Sequence, residues 1–303
     1  MSFEVKKQHY VWEYYLKGWA PNGQIWCKRE DKIIRSSTEN VAQQRYFYEI
    51  DPLLDAEIEL LSMMIMKGPA INQFTGLSSL ATYLSIANSG NKLARFGLEQ
   101  YHGMIENNAL PVLAALREKN FDVLNDRQSK IHLCIYLGHQ YTRTKKARNS
   151  NANHQALNVP DKYKDCDLKK ILSAMGFILA NNIGGSLCDR LDLKLVENHS
   201  DTKLITSDQP IYNLLAIPGD VSKESSIYFP ISPHLALWAK KGQTTRRLIP
   251  RKRLSTLTPL WLRTHWSLSL PPVKKSWRRS GPKPINNSPS TFSENFVPGV
   301  CEK

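Results

Sequence analysis

Three short stretches of this chain carry residue types suited to moving protons or holding anions, and they lie far apart in the sequence. The first is His9-Tyr10. An imidazole titrates near neutrality and exchanges protons in either direction, so His9 is a candidate acid or base; a histidine packed beside an aromatic ring would look the same. The second is the segment 126–146, where His132, Tyr136, His139 and Arg143 follow one another at spacings of four, three and four, with Gln140 alongside. On a helix that spacing stacks the side chains on one face. A guanidinium fork and an amide there could grip an anion. Lys145, Lys146 and Arg148 follow directly, and spacing alone favours a solvated, cation-rich helix end. The third is Ile205-Thr206-Ser207-Asp208-Gln209-Pro210. Apolar residues lead into Thr206, Ser207 and Asp208, and Pro210 pushes Gln209 toward extended backbone, which would display Asp208 at a strand end. Asp208 could hold a divalent metal ion, act as a base or orient His9. Ser207 and Asp208 could equally bond neighbouring backbone in a turn.

The elements that must position these groups can be read from periodicity. Apolar residues at Val11, Trp12, Tyr15, Leu16 and Trp19 predict a helix beginning near His9 and broken by Pro21-Asn22-Gly23. Gln24 to Lys28 alternates as a short strand. Asp51-Pro52 predicts the cap and first position of a helix to Lys67, stopped by Gly68-Pro69. Further helices are expected over 77–88, over 91–118 with an interruption at Pro111, over 126–146 beginning at Asp126, and from about Asp167 to Asn182, ended by Gly184-Gly185. The Asn-rich stretch 149–164 reads as a loop. Strands are expected at 191–196, 203–206, 227–229 and 235–239. Helices in the middle and strands toward 240 give an α+β class: a mostly helical body with a small antiparallel sheet built from strands near 24–28 and 191–240.

Residues 1–240 are expected to form one α+β domain. The formal net charge of +14 is concentrated beyond it, because residues 241–303 hold 13 Lys and Arg against 2 acids. That Ser-, Pro- and Arg-rich segment scatters tryptophan and leucine without a helical or strand period. It reads as a disordered or out-of-frame tail rather than a nucleic-acid-binding arm, so the basic balance says nothing about the body. Five separated cysteines form no zinc spacing and read as core residues of a reducing cytoplasm. The amino terminus lacks a secretory pattern, and no apolar run reaches bilayer length, which implies no membrane partner. Phosphate-cradling and dinucleotide glycine motifs are missing, as is the serine-hydrolase elbow around Ser232. Oligomeric state leaves no mark.

Taken together, His9 to Ala20, Gln24 to Trp26, Phe47 to Ile50, His139 to Thr144, Ile205 to Pro210 and Phe229 to Leu237 resemble a bacterial family of unknown function, the one numbered 4238, over about residues 7–240. Trp12 stands where that family generally has proline, and its pattern is not recognisable beyond about 241. The family has no established reaction. The resemblance therefore implies an architecture and adds weight to His9, Gln140, Arg143 and Asp208. The reading that follows is a hydrolase acting on a phosphodiester or nucleotide, nuclease-like and suited to bacterial defence. His9, Arg143 and Asp208 would be catalytic, with Tyr10, Gln140, Thr206 and Ser207 against the substrate. A divalent ion and nucleic acid are the implied cofactor and partner. The alternative is a non-catalytic ligand- or partner-binding module whose polar network is structural.

Overall fold

The computed structural model describes residues 5–152, 159–213 and 225–241. Its helices are α1 (Glu13–Leu16), α2 (Asp55–Lys67), α3 (Ala70–Ala87), α4 (Asn91–Arg117), α5 (Arg127–Thr142), α6 (Lys145–Ala152) and α7 (Leu168–Arg190). The strands are β1 (Lys7–His9), β2 (Gln24–Arg29), β3 (Lys32–Ser37), β4 (Gln43–Arg45), β5 (Leu191–Glu197), β6 (Tyr212–Asn213), β7 (Ser225–Ser232) and β8 (Leu235–Lys241). All of these lie in one compact unit, Met1–Gly242. The expected tail, 241–303, lies outside the described residues except for Lys241.

The class is α+β, as the periodicity implied, but the strands are divided differently. β2 does not join the carboxy-terminal strands; it forms a two-stranded antiparallel sheet with β3, and β1 forms another with β4. The third sheet has the order β5-β8-β7-β6, antiparallel throughout. Pro230 is accommodated in β7 because β6 ends before reaching it, and the register slips between Pro230 and Ser232. The inward face of this sheet carries Leu193, Phe229, Ile231, Leu235, Leu237 and Ala239, all buried. The expected strand at 203–206 makes no ladder. Leu204 instead donates to the Pro233 carbonyl at 2.9 Å and accepts from the Trp19 indole at 2.8 Å.

Several helix ends differ from expectation for identifiable reasons. Residues 7–9 are strand, so His9 and Tyr10 precede α1 by an extended turn rather than starting a helix. α2 begins at Asp55, because the buried Glu57 carboxylate accepts the backbone N–H of Leu54 at 2.8 Å, and Asp51 plays no part. The other oxygen of Glu57 accepts from Asp167 N at 3.0 Å and ties α2 to the start of α7. α4 runs unbroken through Pro111, which faces solvent. α5 stops at Thr142 and α6 occupies part of the expected 149–164 loop. Asp126 and Asp167, where these helices were expected to begin, cap α5 and α7, accepting from Ser129 N at 2.8 Å and Lys169 N at 2.9 Å. Gly184-Gly185 does not end α7. Glycine is needed inside that helix, because a Cβ on Gly184 would sit 2.9 Å from the Cys134 carbonyl oxygen of α5, and one on Gly138 would sit 2.7 Å from Gly184 N. The two backbones touch there.

By length and composition α7 is apolar enough to cross a bilayer, with a mean hydropathy of 1.4 over its best window, so the reading that no segment qualifies does not hold. Eight of its residues, from Ile171 to Leu187, are nevertheless buried within the protein, the pattern of a core helix.

Two apolar clusters fill the interior. One joins the segment Val11–Ala20, the second half of α4, α5 and the inner face of the four-stranded sheet; the other joins α2, α3, the start of α4 and the first half of α7. Tyr10 and Tyr101 pack against both. α5 crosses this seam buried on every side from Tyr136 to Gln140, and the polar residues lie there.

Candidate functional site

Arg143, the first residue past α5, is only 5% exposed. One guanidinium nitrogen donates to Glu106 of α4 and, at 2.8 Å, to Gln140 Oε1. Burial alone would lower the Arg143 pKa, but Tyr48, Glu106 and Tyr136 around it hold it raised, so the cation is secure. Its charge is felt by His9, Tyr48, Glu99, His102, Glu106 and Tyr136. The solvated face that spacing favoured is therefore the interior of the protein from Tyr136 to Arg143. His132, one turn earlier, is half-buried and accompanied by Gln128 at 2.7 Å.

Gln140 clamps the amino-terminal segment. Its Oε1 accepts from Trp12 N at 3.3 Å, and its Nε2 donates to the Tyr10 carbonyl at 2.9 Å. This bond fixes the backbone beside His9 to α5. His139 bonds to Asn181 of α7 at 3.2 Å, and Asn181 in turn donates to Ser79 of α3 at 2.9 Å. Burial depresses the His139 pKa to about 3 and takes His102 well below its ordinary value, so both rings are neutral. Among the described residues, His102 Nδ1, Tyr136 OH and Arg143 Nε make no hydrogen bond although buried.

The carboxylates were missed by reasoning from sequence. Glu99, His102 and Glu106 recur at spacings of three and four on α4, opposite the α5 stripe, and that matching period was the available signal. Burial, and then repulsion from Glu106, push the Glu99 carboxyl up to about 7. Burial also pushes Glu106 up, with Arg143 offsetting part of the shift. The Glu106 side chain keeps 16% of its surface in solvent, so the cluster reaches the outside on this flank.

His9 lies on β1, half-buried, with Nε2 3.4 Å from the Thr38 carbonyl. Burial lowers its pKa despite the nearby Glu13. Tyr48 donates to the His9 carbonyl at 3.0 Å. Along β1 alternate residues share a face, as do residues directly opposite on β4. Lys7 opposes Arg45, and His9 opposes Gln43, so the imidazole shares its face with two exposed cations. Gln8 points the other way into the core, accepting from Tyr48 N at 2.7 Å.

The third stretch meets the cluster at its rim. Thr206 bonds Tyr15 OH at 2.6 Å, and Ser207 bonds Tyr212 OH at 2.8 Å and accepts from Gln209 N at 3.1 Å. Gln209 accepts from Thr144 and donates to the Tyr141 carbonyl at 3.2 Å, which pins the segment to the end of α5. Asp208 is exposed, and its carboxylate has no partner among the described residues. Its charge, after burial, helps raise the Tyr10 phenol. Thus the Arg143 charge is felt at His9, and the Asp208 charge is felt at Tyr10. No three His, Cys, Asp or Glu side chains among the described residues are arranged to hold a metal ion.

Neither a curated protein nor a solved structure matches the chain. A family model described as a protein of unknown function (DUF4238) matches residues 7–177, which include His9, Tyr10, Gln140 and Arg143 but not the stretch from Ile205 to Pro210. With more than half of its length matched in this way, the chain belongs to that family of proteins of unknown function.

Proposed function

We propose that the protein is a hydrolase acting on a phosphodiester or nucleotide, with His9 and Glu99 exchanging the protons. One observation carries the reading: burial lowers the His9 imidazole and raises the Glu99 carboxyl to about 7, and both feel the charge of one buried guanidinium. A neutral imidazole able to accept a proton and a carboxyl raised toward neutrality make an acid–base pair. Lys7 and Arg45, on the His9 face of the β1–β4 pair, supply exposed cations for a phosphate. Arg143 is occupied by Glu106 and Gln140, so its part is to place charge behind the site rather than to grip substrate. Asp208, exposed beside Tyr10, would orient substrate or water at the rim. Its lone carboxylate would hold a divalent ion only with substrate oxygens completing the shell. A nuclease-like role in bacterial defence, in the reducing cytoplasm where the free cysteines Cys27, Cys134, Cys166 and Cys188 would persist, fits this chemistry.

The full chain is to be incubated with RNA, single- and double-stranded DNA and nucleotides, with Mg²⁺ and with a chelator. Cleavage should fall roughly 100-fold or more in His9→Asn and in Glu99→Gln, with melting temperatures close to wild type. Equal turnover in both variants would refute the assignment. A second reading, a binding module with a structural network, is favoured by the Gln140 bonds to Trp12 N and the Tyr10 carbonyl. It requires that neither variant changes any cleavage while Gln140→Leu lowers the melting temperature.

A further inference from the structure

We propose that Cys134 of α5 and Cys188 of α7 are a peroxide-responsive modification site that closes to a reversible disulfide and fastens the two helices together. The inference is independent of the hydrolase reading. It begins from the contact between Gly138 and Gly184, where neither helix has room for a Cβ against the other's backbone. Gly138 faces Ala180 and Gly184, and Gly184 faces Cys134 and Ile135, so the helices run antiparallel across this point. Cys134 lies one turn before the first glycine and Cys188 one turn after the second, so the close approach delivers both thiols to the same level. Cys134 belongs to the apolar cluster that Cys188 packs against, and each thiol is the leading influence on the other's titration. Cysteines that look unrelated in sequence, 54 positions apart, are thereby a dithiol.

The two sulfurs are not equivalent. Cys134 is fully buried, while Cys188 is half-buried. The Cys134 thiol holds the Cys188 thiol below its ordinary range, helped by Lys130 and Arg127 at the start of α5, while Cys188 and burial push Cys134 up. Cys188 is thus the reachable sulfur, which an oxidant meets first as its thiolate, and Cys134 is the buried one that later resolves it. With a hydroperoxide as oxidant, the Cys188 sulfur attacks one peroxide oxygen and the O–O bond breaks. For hydrogen peroxide, this gives a sulfenic acid and one water. The Cys134 sulfur then attacks the Cys188 sulfur, an S–S bond forms, and the hydroxyl leaves with the Cys134 proton as a second water. Two electrons pass from the thiols to the peroxide. The other described cysteines, Cys27 and Cys166, lie outside this pair of helices and serve as internal controls.

The full-length chain is to be treated with increasing hydrogen peroxide, its remaining thiols alkylated, and the product digested and mapped by mass spectrometry. A peptide pair joined between Cys134 and Cys188, lighter by about 2 Da than the two reduced peptides, should accumulate before any other cysteine reacts and vanish with dithiothreitol. Cys188→Ser should leave Cys134 reduced, and Cys134→Ser should leave Cys188 as a sulfenic acid trapped by dimedone. Because the wild-type map stands alone, poor folding of either variant does not blur the answer. A map in which Cys188 goes straight to sulfinic acid, links between molecules, or reacts no sooner than Cys27 and Cys166 would overturn the proposal.

Discussion

Moving the protein from pH 7 to pH 5 tests the buried cluster directly, because His139 and Glu99 pull its stability in opposite directions. Burial depresses the His139 pKa to about 3 from an ordinary 6.5. The folded state therefore refuses a proton that the unfolded chain accepts, so stability is full above about 6.5 and drains away as pH falls toward 3. At about 1.4 kcal/mol per pH unit below 6.5, the loss is about 2 kcal/mol at pH 5. Glu99 has the reverse sign. Burial and the Glu106 charge raise its folded pKa to about 7 from 4.5, so the folded state holds a proton that the unfolded chain releases. That contribution is fully present below about 4.5 and lost as pH rises through 7. Between pH 7 and pH 5 it adds about 2 kcal/mol, less whatever solvent reaches the half-buried carboxyl. The two nearly cancel in the wild type. His102, lowered by burial, adds to the His139 side, and Glu106, raised by burial, to the Glu99 side.

Single substitutions expose each half of this balance. Glu99→Gln removes the compensating proton, so its stability should drop about 2 kcal/mol further than wild type between pH 7 and pH 5. His139→Gln keeps an amide donor for Asn181 Oδ1 and removes the titration, so it should drop about 2 kcal/mol less. Urea unfolding of the three proteins at both pH values measures this, with unchanged slopes confirming that the compactness of the end states is not what moved. If Glu99→Gln and wild type lose stability in parallel, Glu99 does not hold a proton at neutrality. The acid–base role proposed for it then goes too.

The packing makes three further demands. Gly138→Ala drives a methyl against the Ala180 carbonyl and to within 2.7 Å of Gly184 N, and should cost about 3 kcal/mol or more, lowering the melting temperature by roughly 10 °C. Gln140→Leu strands Trp12 N and the Tyr10 carbonyl together, which should cost roughly 2–4 kcal/mol by denaturant titration; no loss would mean that the amino-terminal segment is held by its apolar residues alone. Phe229→Ala empties a fully buried site stacked on Tyr15 at 4.9 Å and should cost about 3–5 kcal/mol in the same assay.

How far these features were legible in the sequence depended on whether their causes are local. Asp126 and Asp167 announced the starts of α5 and α7 because each bonds backbone two or three residues ahead. Strand 191–196 showed its alternation because Leu193 is buried between the exposed Asp192 and Lys194. Distant causes defeated the same rules. Asp51-Pro52 carries a capping pattern, but the true start of α2 is set by Glu57, whose second oxygen serves Asp167 far along the chain. Gly184-Gly185 reads as a helix end only when its partner, the α5 backbone, is out of view. The α5 stripe was judged solvated for the same reason: its cover is Glu106 on one side and Trp12 on the other. Of the residues singled out, Gln140 bonds both Arg143 and the Tyr10 carbonyl next to His9, while Asp208 is exposed. Glu99 and Glu106 went unnoticed, because carboxylates at helical spacing are usually a wet surface.

α5 gives these separate features a single mechanical frame. Successive turns of the helix carry the Cys134 thiol, the Gly138 contact with α7, the His139 and Gln140 bonds, and the Arg143 ion pair, and Thr144 then holds the segment bearing Asp208. A helix packed on every side cannot shift one of these without straining the others, since interiors are close-packed and resist partial displacement. Anything that moves α5 along α7, at the glycine contact or at the thiols, therefore also moves the clamp on Tyr10 and Trp12 that fixes the backbone of His9. The geometry around the imidazole is set less by its own bond, to the Thr38 carbonyl at 3.4 Å, than by where this one helix sits.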